Sequence, residues 1–219
     1  MRCARWVRRH SDLAPEGKPG CAFKPDTRWV NRHNDVAVEG EPEFEPGSGR
    51  VDRQSDLAAE GEVEREFNPG IAARLPRKTA AGGALIRDRV GRILFLEPTY
   101  KPTLDIPGGI VEFDESPYEA CRREVKEEIG LDLQIGRLLV VDWVPAQGPW
   151  SDALAFVFDG GIVDNTALTL DPTEARAYHY LTLAEAGPRL RPSMTRRLAL
   201  AEQSLTTGIP VYADFGRPQ

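Results

Sequence analysis

Three glutamates, Glu124, Glu127 and Glu128, stand three and four residues apart in the stretch between Ser116 and Gly130. On a helix those spacings put side chains on one face, so three carboxylates converge. Like charges packed in this way cost a few tenths, roughly 0.2–0.5, of a kcal/mol per pair even when exposed. A stable helix has no need of them. Two readings follow: a solvated acidic face, or a site for a hard divalent cation. Mg²⁺ would suit the second, because it takes oxygen ligands and keeps several waters that it can share with a phosphate, and the helix by itself leaves both readings open.

The helix that would carry these carboxylates is marked at both ends. Ser116 can cap its free N–H groups, Pro117 suits the first helical position, and Glu119 completes a capping box. Gly130 supplies the left-handed stop. Cys121, Val125 and Ile129 recur every four residues and form a stripe that must be buried.

The surrounding residues extend the pattern. Gly109 is followed after five residues by Glu115, and after seven more by Arg123-Glu124-Val125-Lys126-Glu127-Glu128-Ile129-Gly130-Leu131. This resembles, without a mismatch, the signature of the Nudix hydrolases, and the lead-in Asp105-Ile106-Pro107-Gly108 is similar to theirs. The resemblance covers about residues 78–185, and the last helix fits it too. It implies an α/β fold of the α+β type, with a mixed β-sheet sandwiched between helices and the signature forming a loop-helix-loop. It also implies Mg²⁺, with Mn²⁺ as a substitute, and a small-molecule diphosphate substrate cut by attack of water on phosphorus.

By the same resemblance Glu124 and Glu128 are the main metal ligands. Glu127 is a further ligand or the carboxylate that activates water, and the Gly108 carbonyl is a backbone ligand. Arg123 orients a glutamate through a charge-assisted fork, and Glu115 supports the site from behind. Relatives often add an acidic residue from a later loop; Glu174 stands there, with the capping of a turn as its alternative role. Two rival functions remain open: a nucleotide sensor that keeps the fold without turnover, and an isomerase of prenyl diphosphates. The sensor would be favoured by loss of a signature glutamate, and none is lost. The isomerase would need a cysteine at the site, whereas Cys121 lies on the apolar stripe.

Selectivity must come from outside the signature. Tyr100, Trp143 and Trp150 are aromatics that could stack on a base. Trp143 ends an apolar strand and reads equally as core, whereas Trp150 sits in the loop Pro145–Trp150, which could fold over a substrate. In part of the family a proline about fifteen residues past the signature accompanies ADP-ribose cleavage, and Pro145 stands near that place. Leu104 replaces a tryptophan common among relatives. His179, within a strand, reads as structural.

Positioning this chemistry requires a core, and the apolar runs that supply one begin at Leu85. Thr79 to Arg87 and Arg92 to Leu96 read as strands around a turn. Leu104 to Ile106 is a short extended piece before the helix from Pro117 to Ile129. Strands follow near Leu133–Trp143, Ala153–Phe158 and Tyr178–Leu181, then a helix from about Ser193 to Leu205. Strands that do not alternate strictly with helices favour a mixed sheet.

Residues 1–77 have another texture. Arg5-Trp6-Val7-Arg8-Arg9-His10-Ser11-Asp12 is echoed by Arg28-Trp29-Val30-Asn31-Arg32-His33-Asn34-Asp35 and again near Val51–Asp56, with a period of 21 to 23 residues. Each copy offers too few apolar positions to offset the entropy of ordering. The segment therefore reads as largely extended or disordered. A small repeat module, or repetitive DNA translated upstream of the true start, are the alternatives. The division is thus 1–77 as a repetitive segment and 78–219 as the enzyme domain.

Across 219 residues the formal charge is −6, with 28 Lys and Arg against 34 Asp and Glu. That argues against general nucleic-acid binding, which needs a basic face. Cys3, Cys21 and Cys121 show no paired or metal-ligand spacing, and no apolar stretch is long enough for a membrane span. A reducing, cytoplasmic setting is the expectation, with a homodimer left open.

Overall fold

The computed structural model describes residues 74–163 and 167–219. A compact unit includes Pro76–Gln219. The expectation of an extended or disordered repeat segment falls on residues outside those described.

Eight strands form a single sheet among the described residues: β1 (Thr79–Arg87), β2 (Ile93–Pro98), β3 (Gly108–Ile110), β4 (Leu138–Val144), β5 (Ala153–Ile162), β6 (Ala175–Leu181), β7 (Val211–Asp214) and β8 (Arg217–Pro218). The helices are α1 (Pro117–Ile129), the single turn α2 (Leu183–Ala186) and α3 (Pro192–Thr207), with a 3₁₀ turn at Gly187–Arg189. The strand order is β6-β2-β1-β5-β4-β7-β8, and β3 pairs with β1 beside this path. The β1–β5 and β4–β7 pairs are parallel and the others antiparallel, so the sheet is mixed as expected.

Both faces of the sheet are covered. Ala84, Ile86, Leu94 and Leu96 pack with Cys121, Val125 and Ile129 of α1. Their sequence neighbours Leu85, Ile93 and Phe95 point the other way, onto Leu198 and Ala201 of α3. This explains why Ile93-Leu94-Phe95-Leu96 is apolar throughout. A strand buried on both sides has no polar phase.

Helix α1 has the ends that its sequence encodes. The Ser116 side chain accepts from the Glu119 N–H, the Glu119 carboxylate accepts from the Ser116 N–H, and Gly130 ends the helix at φ 74°. Its first turn rests directly on β1. A Cβ at Gly82 would stand 2.2 Å from the Pro117 carbonyl oxygen, so only glycine lets helix and strand meet this closely.

Three expectations need correction. The strand placed near Leu133 begins only at Leu138. Residues 131–137 instead tuck Leu131, Leu133 and Ile135 under α1, with the Tyr118 hydroxyl donating to the Ile135 carbonyl at 2.8 Å. Burial of alternate residues in a connector mimics the period of a strand. Strands β7 and β8 escaped the sequence because four and two residues hold no period to detect. The strand expected over Ala153–Phe158 runs on to Ile162, through Gly160 and Gly161.

Both core clusters of the described residues draw only on Ala84 to Ala213. Because residues 1–77 offer too few apolar positions for an independent core, their deletion is expected to leave a folded domain with a single cooperative thermal transition. An insoluble or molten product would show that the segment completes the fold.

Candidate active site

The signature residues gather around one guanidinium. Arg123, on α1, donates from Nε to Glu115 Oε1 at 2.8 Å and from Nη2 to Glu115 Oε2 at 2.9 Å. Nη1 reaches Glu124 Oε1 at 2.6 Å and Glu127 Oε2 at 3.4 Å, and Nη2 also meets the Ile110 carbonyl at 3.2 Å. Only the planar fork of arginine serves so many acceptors at once. Glu115 is fixed further by the Glu112 N–H at 2.9 Å. These bonds to Arg123 hold the Glu115 carboxyl below the usual range for a glutamate, although its burial opposes them.

Glu124 and Glu128 are enclosed, and Glu127 is not. The Glu124 side chain is 16% exposed and that of Glu127 45%. A Cβ on Gly109 would lie 2.4 Å from the Glu124 carboxyl carbon, so strand β3 approaches the acid with bare backbone. Glu128 accepts the Gly108 N–H at 2.8 Å. Burial raises the pKa of Glu124; Arg123 counters it, while the charges of Glu127 and Glu174 add to it. Glu128 is pushed well above its ordinary value, first by burial and then by Glu124, Asp105 and Glu174, against the lowering effect of the Gly108 N–H.

Glu174, expected from a later loop, thus lies near enough to act on both acids. Its carbonyl accepts the Thr99 N–H at 2.8 Å, which ties its loop to the end of β2. Asp105 is a group that the sequence reading did not single out for the site. It exchanges backbone hydrogen bonds with Leu96, and its charge reaches Glu128. Its place in the lead-in Asp105-Ile106-Pro107-Gly108 was the available signal.

The donors suit a hard divalent cation. They are oxygens, they are desolvated, and they repel one another, so a cation would relieve what Arg123 leaves uncompensated. Among the described residues no three acidic, imidazole or thiol groups already stand as a closed cage. In the arrangement described, Glu124 is turned to Arg123 and Glu128 to the Gly108 N–H.

The aromatic candidates lie in separate places. Trp150 is exposed and closes a tight turn in which Gln147 and Trp150 exchange backbone hydrogen bonds of 3.0 Å. Tyr100 is exposed beside Thr99, with Lys101 Nζ 5.5 Å from its ring centre. Trp143 is half-buried and donates from Nε1 to Asp152 at 3.0 Å, a structural bond. His179 contacts Glu97 at 3.1 Å. Cys121 is sealed in the apolar cluster, and burial pushes its thiol up to about 12, which leaves no thiolate for catalysis.

A NUDIX domain profile matches residues 76–201. The chain belongs to the Nudix family. Members of this family are pyrophosphohydrolases that generally depend on divalent metals, and this Nudix protein is a hydrolase of phosphoric anhydrides. It is 30% identical over 122 residues to a MutT-like protein of Streptomyces ambofaciens, covering 54% of this chain and 73% of that one. The structure of a MutT protein from Methanosarcina mazei Go1 overlays with a TM-score of 0.50 at 28% identity, covering 61% of this chain and 98% of that one. A UDP-X diphosphatase structure shares the fold with a TM-score of 0.56 at 20% identity, covering 73% and 75%. No helix among the described residues is long and apolar enough to cross a membrane.

The buried acids set the pH response of the metal-free domain. The pKa of Glu128 is raised on folding, so the folded state holds its proton over a pH range in which the unfolded chain has released it. Stability should then fall as pH rises from about 4.5, the ordinary glutamate value, through the raised folded value. Glu128→Gln is expected to flatten that slope and to raise the melting temperature at neutral pH with chelator present. A melting temperature lowered by the substitution would assign Glu128 a structural role.

Proposed function

We propose that this Nudix hydrolase uses Mg²⁺, with Mn²⁺ as a substitute, to cleave the diphosphate linkage of a nucleoside-diphosphate-linked substrate such as a nucleotide sugar or ADP-ribose. The observation that carries this reading is the enclosure of Glu124 and Glu128 between Arg123 and the Gly108 N–H, within an unbroken signature from Gly109 to Leu131.

In this reading Glu124 and Glu128 hold the metal, with the Gly108 carbonyl as a backbone donor and Glu127 as a further ligand. Mg²⁺ when bound supplies neutralisation of the charge on the phosphate oxygens. Arg123 keeps Glu124 aimed, and Glu115 holds the Arg123 guanidinium in place. Glu127 or Glu174 takes the proton of the attacking water. The water oxygen bonds to one phosphorus, the bridging oxygen leaves with the other, and two monophosphate products separate.

The UDP-X diphosphatase name among the fold relatives accords with a nucleoside diphosphate substrate. Partners beyond the small molecule, a homodimer included, and a cytoplasmic setting belong to the same proposal. Residues 1–77 are proposed as a repetitive segment that hydrolysis does not need.

Glu124→Gln and Glu128→Gln should each lower the Mg²⁺-dependent rate by about a hundredfold or more while the fold survives, since metal-supported charge neutralisation supplies several kcal/mol. Phosphate release after phosphatase coupling, read across nucleotide sugars, ADP-ribose and dinucleoside polyphosphates, measures this. Retention of a third of the rate in both variants would end the metal assignment.

We propose also that Trp150 stacks on the non-reacting part of the substrate, with Tyr100 as the other aromatic contact. Stacking on a base contributes about 1–3 kcal/mol. Trp150→Ala is expected to raise KM for a nucleotide substrate about tenfold with the melting temperature nearly unchanged. A lower melting temperature with an unchanged KM would make the tryptophan structural.

A further inference from the structure

At the outer edge of the sheet, β6 and the end of β2 carry a cluster of cations that the signature does not use. Glu97 accepts from Arg189 Nη2 at 2.6 Å and contacts His179 Nε2 at 3.1 Å, while Arg176 Nε stands 3.8 Å from its other oxygen. Two guanidiniums therefore face one carboxylate, before the imidazole is counted. Arg176 is held mainly by neutral groups. Its Nη2 donates to the carbonyls of Pro98 and Thr99 at 2.8 and 3.1 Å, which fixes its position without cancelling its charge. The side chains of Arg176 and Arg189 are 52% and 41% exposed. The cluster is thus positioned, in surplus of positive charge, and open to solvent.

Its place in the fold gives it a use. Glu97 follows Leu96, which exchanges backbone hydrogen bonds with Asp105. The carbonyl of Arg189 accepts the N–H of Leu104, again one residue from Asp105. On the other side, Thr99 bonds both to Arg176 and to the Glu174 carbonyl. Asp105 and Glu174 are the two acids whose charges reach Glu128 from outside α1. Hydrogen bonds to the backbone thus join the cluster directly to the two loops that carry Asp105 and Glu174. An acidic centre that needs metal to accept phosphate is here flanked by a basic one that does not.

We propose that Arg176, Arg189 and His179 form an anion subsite for a phosphate of the substrate that is not cleaved. This rests on the diphosphatase reading and narrows it to a diphosphate carrying an additional phosphoryl group on its non-reacting part. Glu97, which accepts from Arg189 and faces Arg176, competes with the incoming anion. Arginine forks match phosphate oxygens in two-point geometry, which makes them suited to the role.

The test separates this subsite from the hydrolytic reading. Inorganic phosphate is titrated into the metal-free protein, with chelator present so that the carboxylate centre attracts no anion, and the His179 ring resonances are followed by NMR. Saturable shifts are expected. Arg176→Gln should weaken the midpoint about tenfold or more, and Glu97→Gln, which removes the competing charge, should tighten it. A cluster that merely ties the edge strand together predicts no saturable shift, and no tightening in Glu97→Gln; either result overturns the subsite. With Mg²⁺, Arg176→Gln should raise KM more for a nucleoside diphosphate sugar bearing an extra phosphate than for its unphosphorylated counterpart. Equal changes for the two substrates would overturn the assignment of the anion to substrate. Loss of all hydrolysis in the unmodified protein would refute the diphosphatase reading while leaving the phosphate titration to stand or fall separately.

Discussion

Enclosing carboxylates in a protein raises the free energy of their charged forms, and Arg123 is what makes that tolerable here. Its guanidinium binds both oxygens of Glu115, one of Glu124 and one of Glu127, and a backbone carbonyl of β3. A lysine could offset the charge but could not span those acceptors in one plane. The compensation is incomplete by design of the geometry. Glu128 receives only a backbone N–H and stays crowded by Glu124, Asp105 and Glu174. In the proposed reading, what arginine leaves unbalanced is what a hard cation would relieve.

That geometry depends on how closely α1 can approach the sheet. Gly82 brings the start of the helix onto β1, and Gly109 brings β3 onto the Glu124 carboxylate. The apolar stripe of α1 then fixes the helix rotation by packing Cys121, Val125 and Ile129 against Ala84, Ile86 and Leu94. Rotation of the helix by one residue would turn about 100° of its surface and move the glutamates away from β3. The core on one side of α1 and the chemistry on the other are therefore set together. On the opposite face α3 is locked by Arg197, whose Nε donates to the fully buried Asp142 at 2.7 Å, and Asp142 also accepts the Gly216 N–H at 2.8 Å. Both pieces of the sandwich are thus held by an arginine on a helix and a carboxylate beneath it.

In the proposed reading, recognition of the rest of the substrate falls on different material. The carboxylate centre sits on a helix and a strand, whereas Trp150, Tyr100 and Glu174 sit in loops. Rigid elements suit the anhydride, which is common to all substrates of the family, and loops can vary without disturbing it. The basic cluster around Glu97 falls between these extremes, because β2 and β6 hold its backbone while its guanidiniums remain in solvent.

The sequence by itself determined the helix α1, its caps, its buried stripe and its acidic face, because each of these depends on residues within four positions of one another. Strands that do not alternate strictly with helices also pointed to a mixed sheet, and its cover of helices on both sides was implied by the family resemblance. The sequence could place Glu174 only by resemblance and did not reach Asp105 as a member of the site, because their effect on Glu128 is electrostatic and crosses from separate loops. The true start of β4 at Leu138 and the pairing of β7 with β4 were decided by tertiary contacts, since a buried connector and a four-residue strand carry no distinguishing period. The Glu97 cluster is the extreme case. Residues 97, 176, 179 and 189 meet only because β2 pairs with β6 and the 3₁₀ turn folds back beside Leu104. Long-range charge balance is a property of the folded chain, and no local spacing encodes it.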